Sequence, residues 1–568
     1  MAKKATIKRA TDTAPKEKVH SLIDTCRAAL EAARRLESRA HANITKAVIY
    51  KGLIDSGRMT ENQFSSHGYA WLATYVEALH QLLGWAVRLK TADLFGELEE
   101  LTLKAGFGEY LAQISGGIAM SQVEIVRLPD LGIDKDTQHA FETAEVTHLI
   151  RDGNNSQTRQ AIANLIIDGH FGDLGLKDVE LELIRNQFRK FSNEKIAPLA
   201  QSWHITDSLI PDEVVSEMAQ LGVFGLTVPQ KWGGSASGKT AMCLVTEELC
   251  RGYLGVGSLA TRTEIAADLI CEHGTESQKQ RWLGGLASGE VLPTALFTEP
   301  DTGSDLASIS TRANRSGNVY KIIGAKTWST HAARADLMTL LVRTDPNQPG
   351  HNGVSMLLAP KPRGTSDEPF PAPGMNGTEI KVLGYRGMKE YEIGFDGFEV
   401  PEDCLLGDVE GKGFKQLMSG METARIQTAA RSIGVAQNAL ELGLSYALER
   451  RQFGRRIYDF PRISAKLAHM AVEIMIARQL TWGAAREKDA GRRCDLEAGM
   501  AKLLAARVAW SSADNAMQIH GGNGYAEESP ISRVLLDARI LNVFEGTGEI
   551  QAQIISRRLL GGSRTPKN

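Results

Sequence analysis

The sequence predicts a mainly α protein in which a small antiparallel β-domain separates two helical blocks and an extra helical domain stands in front. Three observations predict it. Apolar residues recur at helical spacing through most of the 568 residues. Between about 293 and 408 that spacing gives way to short β-rich runs bounded by turn clusters. The length asks for about three or four domains rather than one. Hydrophobic content of 42% and charged content of 23% are ordinary for a globular protein with ample core. A net charge of −3 gives no reason to expect nucleic acid or an anionic membrane as partner. No apolar run approaches the roughly 20 residues of a membrane span.

Residues 1–18 are rich in lysine (Lys3, Lys4, Lys8, Lys16, Lys18) and lack an apolar h-region, so a disordered tail is expected rather than a secretory signal. The extra helical domain spans 19–170. There Leu22, Ile23, Cys26, Leu30, Ala33 and Leu36 share one helix face, as do Trp71, Leu72, Tyr75, Val76, Leu79, Leu82, Leu83 and Ala86. Gly57, Gly68 and the Asp-Gly-Asn-Asn run at 152–155 read as breaks between helices. Asp168 to Gly175 reads as a linker. A second helical domain covers 176–294, with Gly222-Val-Phe-Gly-Leu-Thr-Val-Pro229, Trp232-Gly-Gly and Gly274-Thr-Glu-Ser-Gln-Lys279 along it. The β-domain covers 295–408, with strands expected at Tyr320, Leu337–Val342, Val354–Leu358 and Tyr391–Phe395, and turns at Asn347-Gln-Pro-Gly and Pro371-Ala-Pro-Gly. The last domain, 409–562, is helical again, with amphipathic stretches around 418–450, 461–489 and 495–521. The six cysteines (26, 243, 250, 271, 404, 494) are scattered without a CxxC or a Cys/His cluster, which points to reduced residues of a cytoplasmic protein and to no metal site.

Chemistry concentrates near the C-terminus, in Asp537-Ala-Arg-Ile-Leu-Asn-Val-Phe-Glu-Gly-Thr-Gly-Glu-Ile-Gln551. Glu545 lies where a helical pattern gives way to a Gly-Thr-Gly turn, before a new amphipathic run from Ile550 to Leu560. An acid at such a break projects from a loop with its backbone N–H free. Apolar neighbours such as Phe544 would raise its pKa toward that of a working base. The plainer reading is a first-turn acid stabilised by the helix dipole.

Phe544-Glu-Gly-Thr-Gly-Glu-Ile-Gln551 resembles the (Tyr/Phe)-Glu-Gly-Thr-Ser-(Glu/Gln)-Ile-Gln signature of the acyl-CoA dehydrogenase family, with Gly548 in place of the usual serine. Four further stretches resemble the family in its own order. Phe297-Thr-Glu-Pro-Asp-Thr-Gly-Ser-Asp305 resembles (Cys/Val)-Thr-Glu-Pro-x-x-Gly-Ser-Asp. Lys326-Thr-Trp-Ser-Thr330 resembles Lys-x-Trp-Ile-(Thr/Ser), and Glu449-Arg-Arg-Gln-Phe-Gly454 resembles Glu-Arg-x-x-Phe-Gly. Gln518-Ile-His-Gly-Gly-Asn-Gly-Tyr525 resembles Gln-x-x-Gly-Gly-x-Gly-(Tyr/Phe). The resemblance implies the acyl-CoA dehydrogenase fold (α-domain, β-domain, C-terminal four-helix bundle), here preceded by the extra N-terminal helical domain.

It also implies FAD as cofactor. Phe297, Thr298, Gly303, Ser304, Trp328 and Thr330 would line the flavin, which needs ring-edge hydrogen bonds and an aromatic wall. Arg450, Gln452, Phe453, Gln518, Gly522, Thr547 and Glu549 would reach the FAD of a neighbouring subunit, the guanidinium suiting its pyrophosphate. Ser304, Arg425 and Gly546 would contact the acyl-CoA. Glu545 would remove the α-proton; the family's other base position precedes Arg425 and here is Ala424, which cannot serve. Electrons would pass to an electron-transferring flavoprotein. The extra domain, with its His67-to-Leu79 stretch, resembles a bacterial branch of the family that works in the ethylmalonyl-CoA pathway on a branched acyl group bearing a distal carboxylate. Such a buried carboxylate requires a donor or cation, for which Arg262, Arg431 and His331 are candidates. A homodimer is expected, the extra domain covering the surface where two dimers would meet. A short- or branched-chain acyl-CoA dehydrogenase of other specificity, an acyl-CoA oxidase, a flavin monooxygenase or a non-catalytic scaffold on the same fold are the competing readings; retention of Glu545 counts against the last two.

Overall fold

The computed structural model describes residues 21–176 and 178–561; the tail expected at 1–18 lies outside the described residues. The extra domain begins with α1 (Leu22–Val48), capped by the Ser21 hydroxyl, which accepts from the Asp24 N–H. Next come α2 (Gln63–Thr91), α3 (Glu97–Gly116) and α4 (Ser156–Ile166). The Asn-Asn break at 154–155 is a cap, the Asn155 side chain accepting from the Thr158 N–H. The two glycine breaks are not breaks. Gly57 lies in the short helix Ser56–Glu61, and Gly68 lies within α2. A Cβ on Gly68 would stand 2.4 Å from a Val126 methyl, so the residue is there for close packing.

The second helical domain holds α5 (Val179–Phe191), α6 (Gly238–Gly252), α7 (Leu254–His273) and α8 (Glu276–Ser288). The Gly-Thr-Glu-Ser-Gln-Lys turn is the capping box of α8, closed between Thr275 and Gln278. Gln278 then donates to the carbonyls of Asp403 (2.9 Å) and Leu405 (2.7 Å), pinning the helix to the far end of the β-domain.

The β-domain is one seven-stranded sheet: β1 (Pro293–Leu296), β2 (Arg312–Ser316), β3 (Val319–Lys326), β4 (Leu337–Arg343), β5 (Val354–Pro360), β6 (Met375–Ile380) and β7 (Glu390–Pro401). Its order is β6-β7-β3-β2-β4-β1, with β5 also paired to β4. Most pairings are antiparallel; β1 runs parallel to β4, and β2 meets β4 in parallel at Arg312 and Arg343. β4 and β5 are buried along almost their whole length, which requires cover on both faces of the sheet.

Four helices follow the sheet: α9 (Gly413–Glu449), α10 (Pro461–Asp489), α11 (Asp495–His520) and α12 (Pro530–Ile540), then α13 (Gly548–Gly561). α9 packs against α11, α10, α6, α7 and α12 and is the axis of the molecule. The extra domain does not stand apart. α2 packs on α10 and α13, and α3 and α4 pack on α10. One apolar core therefore runs from Leu36 and Tyr69 through Ile476 to Leu504 and Ile555. Arg507 bolts this junction, lying over the rings of Trp71 (4.8 Å) and Tyr75 (5.2 Å) and donating to the Tyr75 hydroxyl at 2.6 Å.

Candidate active site

Glu545 occupies the turn between α12 and α13 in a left-handed conformation (φ 53°), followed by Gly546 at φ 91°. A non-glycine residue there stores roughly 1–2 kcal/mol of backbone strain, which the surroundings must hold. Two side chains do so. Lys502 of α11, fully buried, donates to the Gly546 carbonyl at 2.6 Å, and Gln551 Nε2 donates to the Glu545 carbonyl at 3.1 Å. The peptide is thereby aimed, and among the described residues the Glu545 N–H makes no hydrogen bond.

The carboxylate points inward, only 11% exposed, onto α9. Its Oε2 accepts from Arg431 Nη2 at 2.7 Å and from the Thr428 hydroxyl; these residues stand three apart on one face of the helix. Arg431 is 0% exposed, also donates to Ser258 at 3.3 Å, and lies over the Phe544 ring at 4.7 Å. The other oxygen, Oε1, has no hydrogen bond and stands 3.7 Å from Arg262 Nη1. Arg262, on α7, reaches the Thr330 and Tyr385 hydroxyls through Nη2, each at 3.3 Å.

This corrects the expectation that apolar neighbours raise the pKa of Glu545. Burial pushes it up, but the Arg431 and Arg262 guanidiniums and the Thr428 hydroxyl outweigh that and hold it below the ordinary carboxylate value. A nearby acid behaves in the opposite way. Glu390, buried at the start of β7, is pushed up to about 7 by burial, although it accepts from the Thr330 hydroxyl (3.0 Å) and lies near Arg262.

The expected flavin residues fall into two groups. Phe297 and Thr298 leave β1, and Trp328 and Thr330 leave β3; the Thr327 N–H donates to the Thr298 carbonyl at 2.9 Å and ties the two segments together. Trp328 is half exposed, with φ 54°. Within the same motifs Glu299 is structural: it accepts from Lys326 Nζ (2.9 Å), the Ser310 N–H (2.7 Å) and the Thr311 N–H (2.9 Å). Gly303 and Ser304 are exposed beside it. The second group is exposed at one end of the bundle. Arg450, Gln452 and Phe453 form a hairpin after α9, while Gln518 and Gly522 sit at the end of α11. Asn523, donating to the Tyr446 hydroxyl at 2.9 Å, holds the two loops together. Phe453 is 92% and Tyr525 86% exposed, a large apolar presence on the protein surface that suits contact with another protomer. Thr547 and Glu549 lie at the start of α13, where Thr547 caps the Ile550 N–H. Arg425, expected at the CoA, is buried in α9 with its Nε unpartnered, near Asp495 and Glu422.

The residues present fit a flavin. The Ser329 hydroxyl, both His331 ring nitrogens and Arg262 Nε are buried without hydrogen bonds beside Trp328 and Thr330, and orphaned polar atoms of this kind call for a polar ligand. Nothing lies within 4 Å of a Cβ placed on Gly454, Gly521 or Gly522, which leaves the backbone open to close approach.

Three family models match the chain: the acyl-CoA dehydrogenase N-terminal domain over 178–290, the middle domain over 294–398 and the C-terminal domain over 411–560. The chain belongs to the acyl-CoA dehydrogenase family, whose cofactor is FAD, and is an oxidoreductase acting on acyl-CoA. It is 58% identical to (2S)-methylsuccinyl-CoA dehydrogenase of Cereibacter sphaeroides, a match spanning 94% of this chain and 97% of that one. Among solved structures it resembles butyryl-CoA dehydrogenase from Megasphaera elsdenii (31% identity, TM-score 0.64, 68% of this chain and 99% of that one). It also resembles a glutaryl-CoA dehydrogenase from Mycobacterium smegmatis in complex with FADH2 (27% identity, TM-score 0.62, 68% and 96%).

Sequence reasoning singles out Glu545, Arg431, Arg262 and Thr330, but not Thr428, Lys502, Tyr385 or Glu390. Thr428 could have been found from its three-residue offset from Arg431. Lys502 could have been found as a lone cation in the apolar run Met500-Ala-Lys-Leu-Leu. Tyr385 and Glu390 carry no such signal.

Proposed function

We propose that the chain oxidises (2S)-methylsuccinyl-CoA to mesaconyl-CoA, within the ethylmalonyl-CoA pathway. One observation carries this reading. The match to the Cereibacter sphaeroides enzyme runs through the extra domain, whereas the solved structures compared cover about two thirds of the chain.

Glu545 is the base that takes the α-proton, and its free N–H polarises the thioester carbonyl so that enolate-like charge is stabilised as it forms. Lys502 and Gln551 keep that N–H aimed; Arg431 and Thr428 keep the carboxylate ionised and oriented. Phe297, Thr298, Gly303, Ser304, Trp328 and Thr330 would hold FAD within the protomer. Arg450, Gln452, Phe453, Gln518, Gly522, Thr547 and Glu549 would reach the FAD of its partner. Ser304, Arg425 and Gly546 would hold the acyl-CoA. FAD supplies the acceptor for the hydride leaving the β-carbon, and an electron-transferring flavoprotein is the proposed onward acceptor. A homodimer fits this reading: α2, α3 and α4 pack on α10 and would cover a surface on which two dimers could otherwise pair. Six free cysteines suit a cytoplasmic setting.

Anaerobic titration of the yellow protein with methylsuccinyl-, 2-methylbutyryl-, isobutyryl-, glutaryl- and octanoyl-CoA tests the substrate. Methylsuccinyl-CoA should bleach the flavin selectively, and Glu545→Gln should abolish bleaching while still binding the thioester, a loss of about 10²–10⁴ in rate. Bleaching led by a monocarboxylic thioester would discard the substrate; bleaching by the Gln variant would discard the base.

A further inference from the structure

The loop expected at the FAD of the partner protomer is built in a way that needs outside support. Arg450, Gln452 and Phe453 lie on a hairpin whose strands, Arg451–Gln452 and Arg455–Arg456, are two residues each. Its turn is Phe453-Gly454, with φ of 52° and 78°. Positive φ at both central residues is the type I′ geometry of a tight hairpin, but the usual first residue there is asparagine, aspartate or glycine. A bulky side chain in that place is strained, and such strain persists only where the surroundings hold it. Phe453 is 92% exposed, so its own burial does little of the holding. Nor are two strands this short stable alone.

The hold comes from the segment that follows. The Ile457 N–H donates to the Arg450 carbonyl at 2.8 Å and closes the root of the hairpin. Phe460 meets Phe453 edge-on at 6.0 Å and lies under the Arg455 guanidinium at 4.0 Å. Between these contacts Ile457–Asp459 form one 3-10 turn, in which Tyr458 is buried. Its hydroxyl donates to the Ala163 carbonyl in the last turn of α4. The last four carbonyls of a helix have no partner within it, and in α4 the first of those four belongs to Ala163. A helix end of the extra domain and the root of the hairpin therefore satisfy each other. The extra domain also meets the other segment expected at that cofactor. α2 packs on α13, and His67 Nε2 stands 2.9 Å from Gln553 Oε1, one turn beyond Glu549.

We propose that the extra domain braces the FAD-binding surface, with Tyr458 as the positioning residue that keeps the hairpin ordered before the cofactor binds. The idea rests on the FAD contacts proposed above. A hairpin already in place presents Arg450 to the pyrophosphate without further ordering. Without the Tyr458 anchor the cost of ordering falls on the binding event, and affinity drops.

For the test, wild-type holoenzyme and the variants Tyr458→Phe, Tyr110→Phe and Arg450→Gln are dialysed to equilibrium against a series of FAD concentrations. Bound flavin is read at one fixed protein concentration. Tyr458→Phe keeps the ring and deletes only the hydroxyl; it should raise the FAD dissociation constant by about 2- to 10-fold. Tyr110→Phe is the control. Its hydroxyl donates to Glu473 of α10 at 3.3 Å, another tie between extra domain and bundle, but about 20 Å along that helix from Phe460. It should lower thermal stability as Tyr458→Phe does and leave the dissociation constant unchanged. Arg450→Gln should weaken FAD by about tenfold or more. Unchanged FAD affinity in Tyr458→Phe, or an equal loss in both tyrosine variants, would overturn the brace and leave the FAD contacts standing. Wild-type affinity in Arg450→Gln would take the hairpin away from the cofactor, and the proposal with it.

Discussion

Glu545, the proposed base, is kept charged in the free protein by Arg431, Arg262 and Thr428. Thr428→Val deletes a donor to the ionised form only, so the pKa of Glu545 rises. Because the base works deprotonated, the acid limb of kcat/KM should move to higher pH by about one unit, read from a pH profile of the variant. Lys502 makes a complementary prediction. Burial pushes it from 10.5 down to about 7, with Glu545 pulling it up and Arg431 and Arg425 pushing it further down. A lysine whose folded pKa lies below its unfolded one costs stability while charged. That cost is full below about pH 7 and fades as pH rises toward 10.5. Lys502→Met should therefore raise thermal stability near pH 6 by about 1–3 kcal/mol. It should also lower kcat at least tenfold or so, because the Gly546 carbonyl loses its anchor. A variant that is both less stable and fully active would contradict this role. Glu545 was legible in the sequence because it sits in a motif. The direction of its pKa was not, since that depends on Arg262, some 283 residues away in the chain.

At the scale of elements, the site is a meeting of four segments: α7 bringing Arg262, the β3 exit bringing Thr330, α9 bringing Thr428 and Arg431, and the α12–α13 turn bringing Glu545. The β1 and β3 exits are fastened by Glu299 and Lys326, both buried. Burial raises Glu299, but Lys326 and the donors of Ser310 and Thr311 bring it down to about 2. Lys326 is itself pushed down to about 8 by burial, against the pull of Glu299. The two shifts oppose each other in stability, so the intact pair contributes little at neutral pH while fixing how the loops meet. Breaking it is another matter. Glu299→Gln takes the counter-charge from a buried lysine that keeps only its bond to the Phe297 carbonyl (3.0 Å), and should destabilise the fold by about 3–5 kcal/mol, measured by denaturant unfolding. A change below 1 kcal/mol would show that Lys326 finds another partner. The strands anticipated were those rich in Val, Leu and Ile. β2 (Arg-Ala-Asn-Arg-Ser) and β6 (Met-Asn-Gly-Thr-Glu-Ile) were not, because they are polar and take their structure from neighbours rather than from propensity.

For the whole molecule, the decisive feature is that the extra domain shares its core with the bundle. A chain lacking residues 1–175 would expose the apolar faces of α10 and α13 that α2, α3 and α4 cover. It should aggregate or associate beyond the proposed dimer of the full chain in light scattering; a soluble dimer of the truncated chain would refute the covering role. Among the described residues no helix is long and apolar enough to cross a membrane.

Local chemistry determined a good deal of this protein from the sequence alone. Apolar periodicity placed the long helices, turn residues and β-branched runs marked the sheet, and five short motifs carried the family, the cofactor and the proposed base. Each is a property of residues close together in the chain, where propensity, capping and spacing act. Tertiary structure decided the rest: the arginines that set the charge of Glu545, the lysine beneath its loop, the parallel pairing of β1 with β4, and the fusion of the extra domain to α10. These depend on contacts across hundreds of residues in a low-dielectric interior. There, which charge faces which is settled by packing rather than by order along the chain.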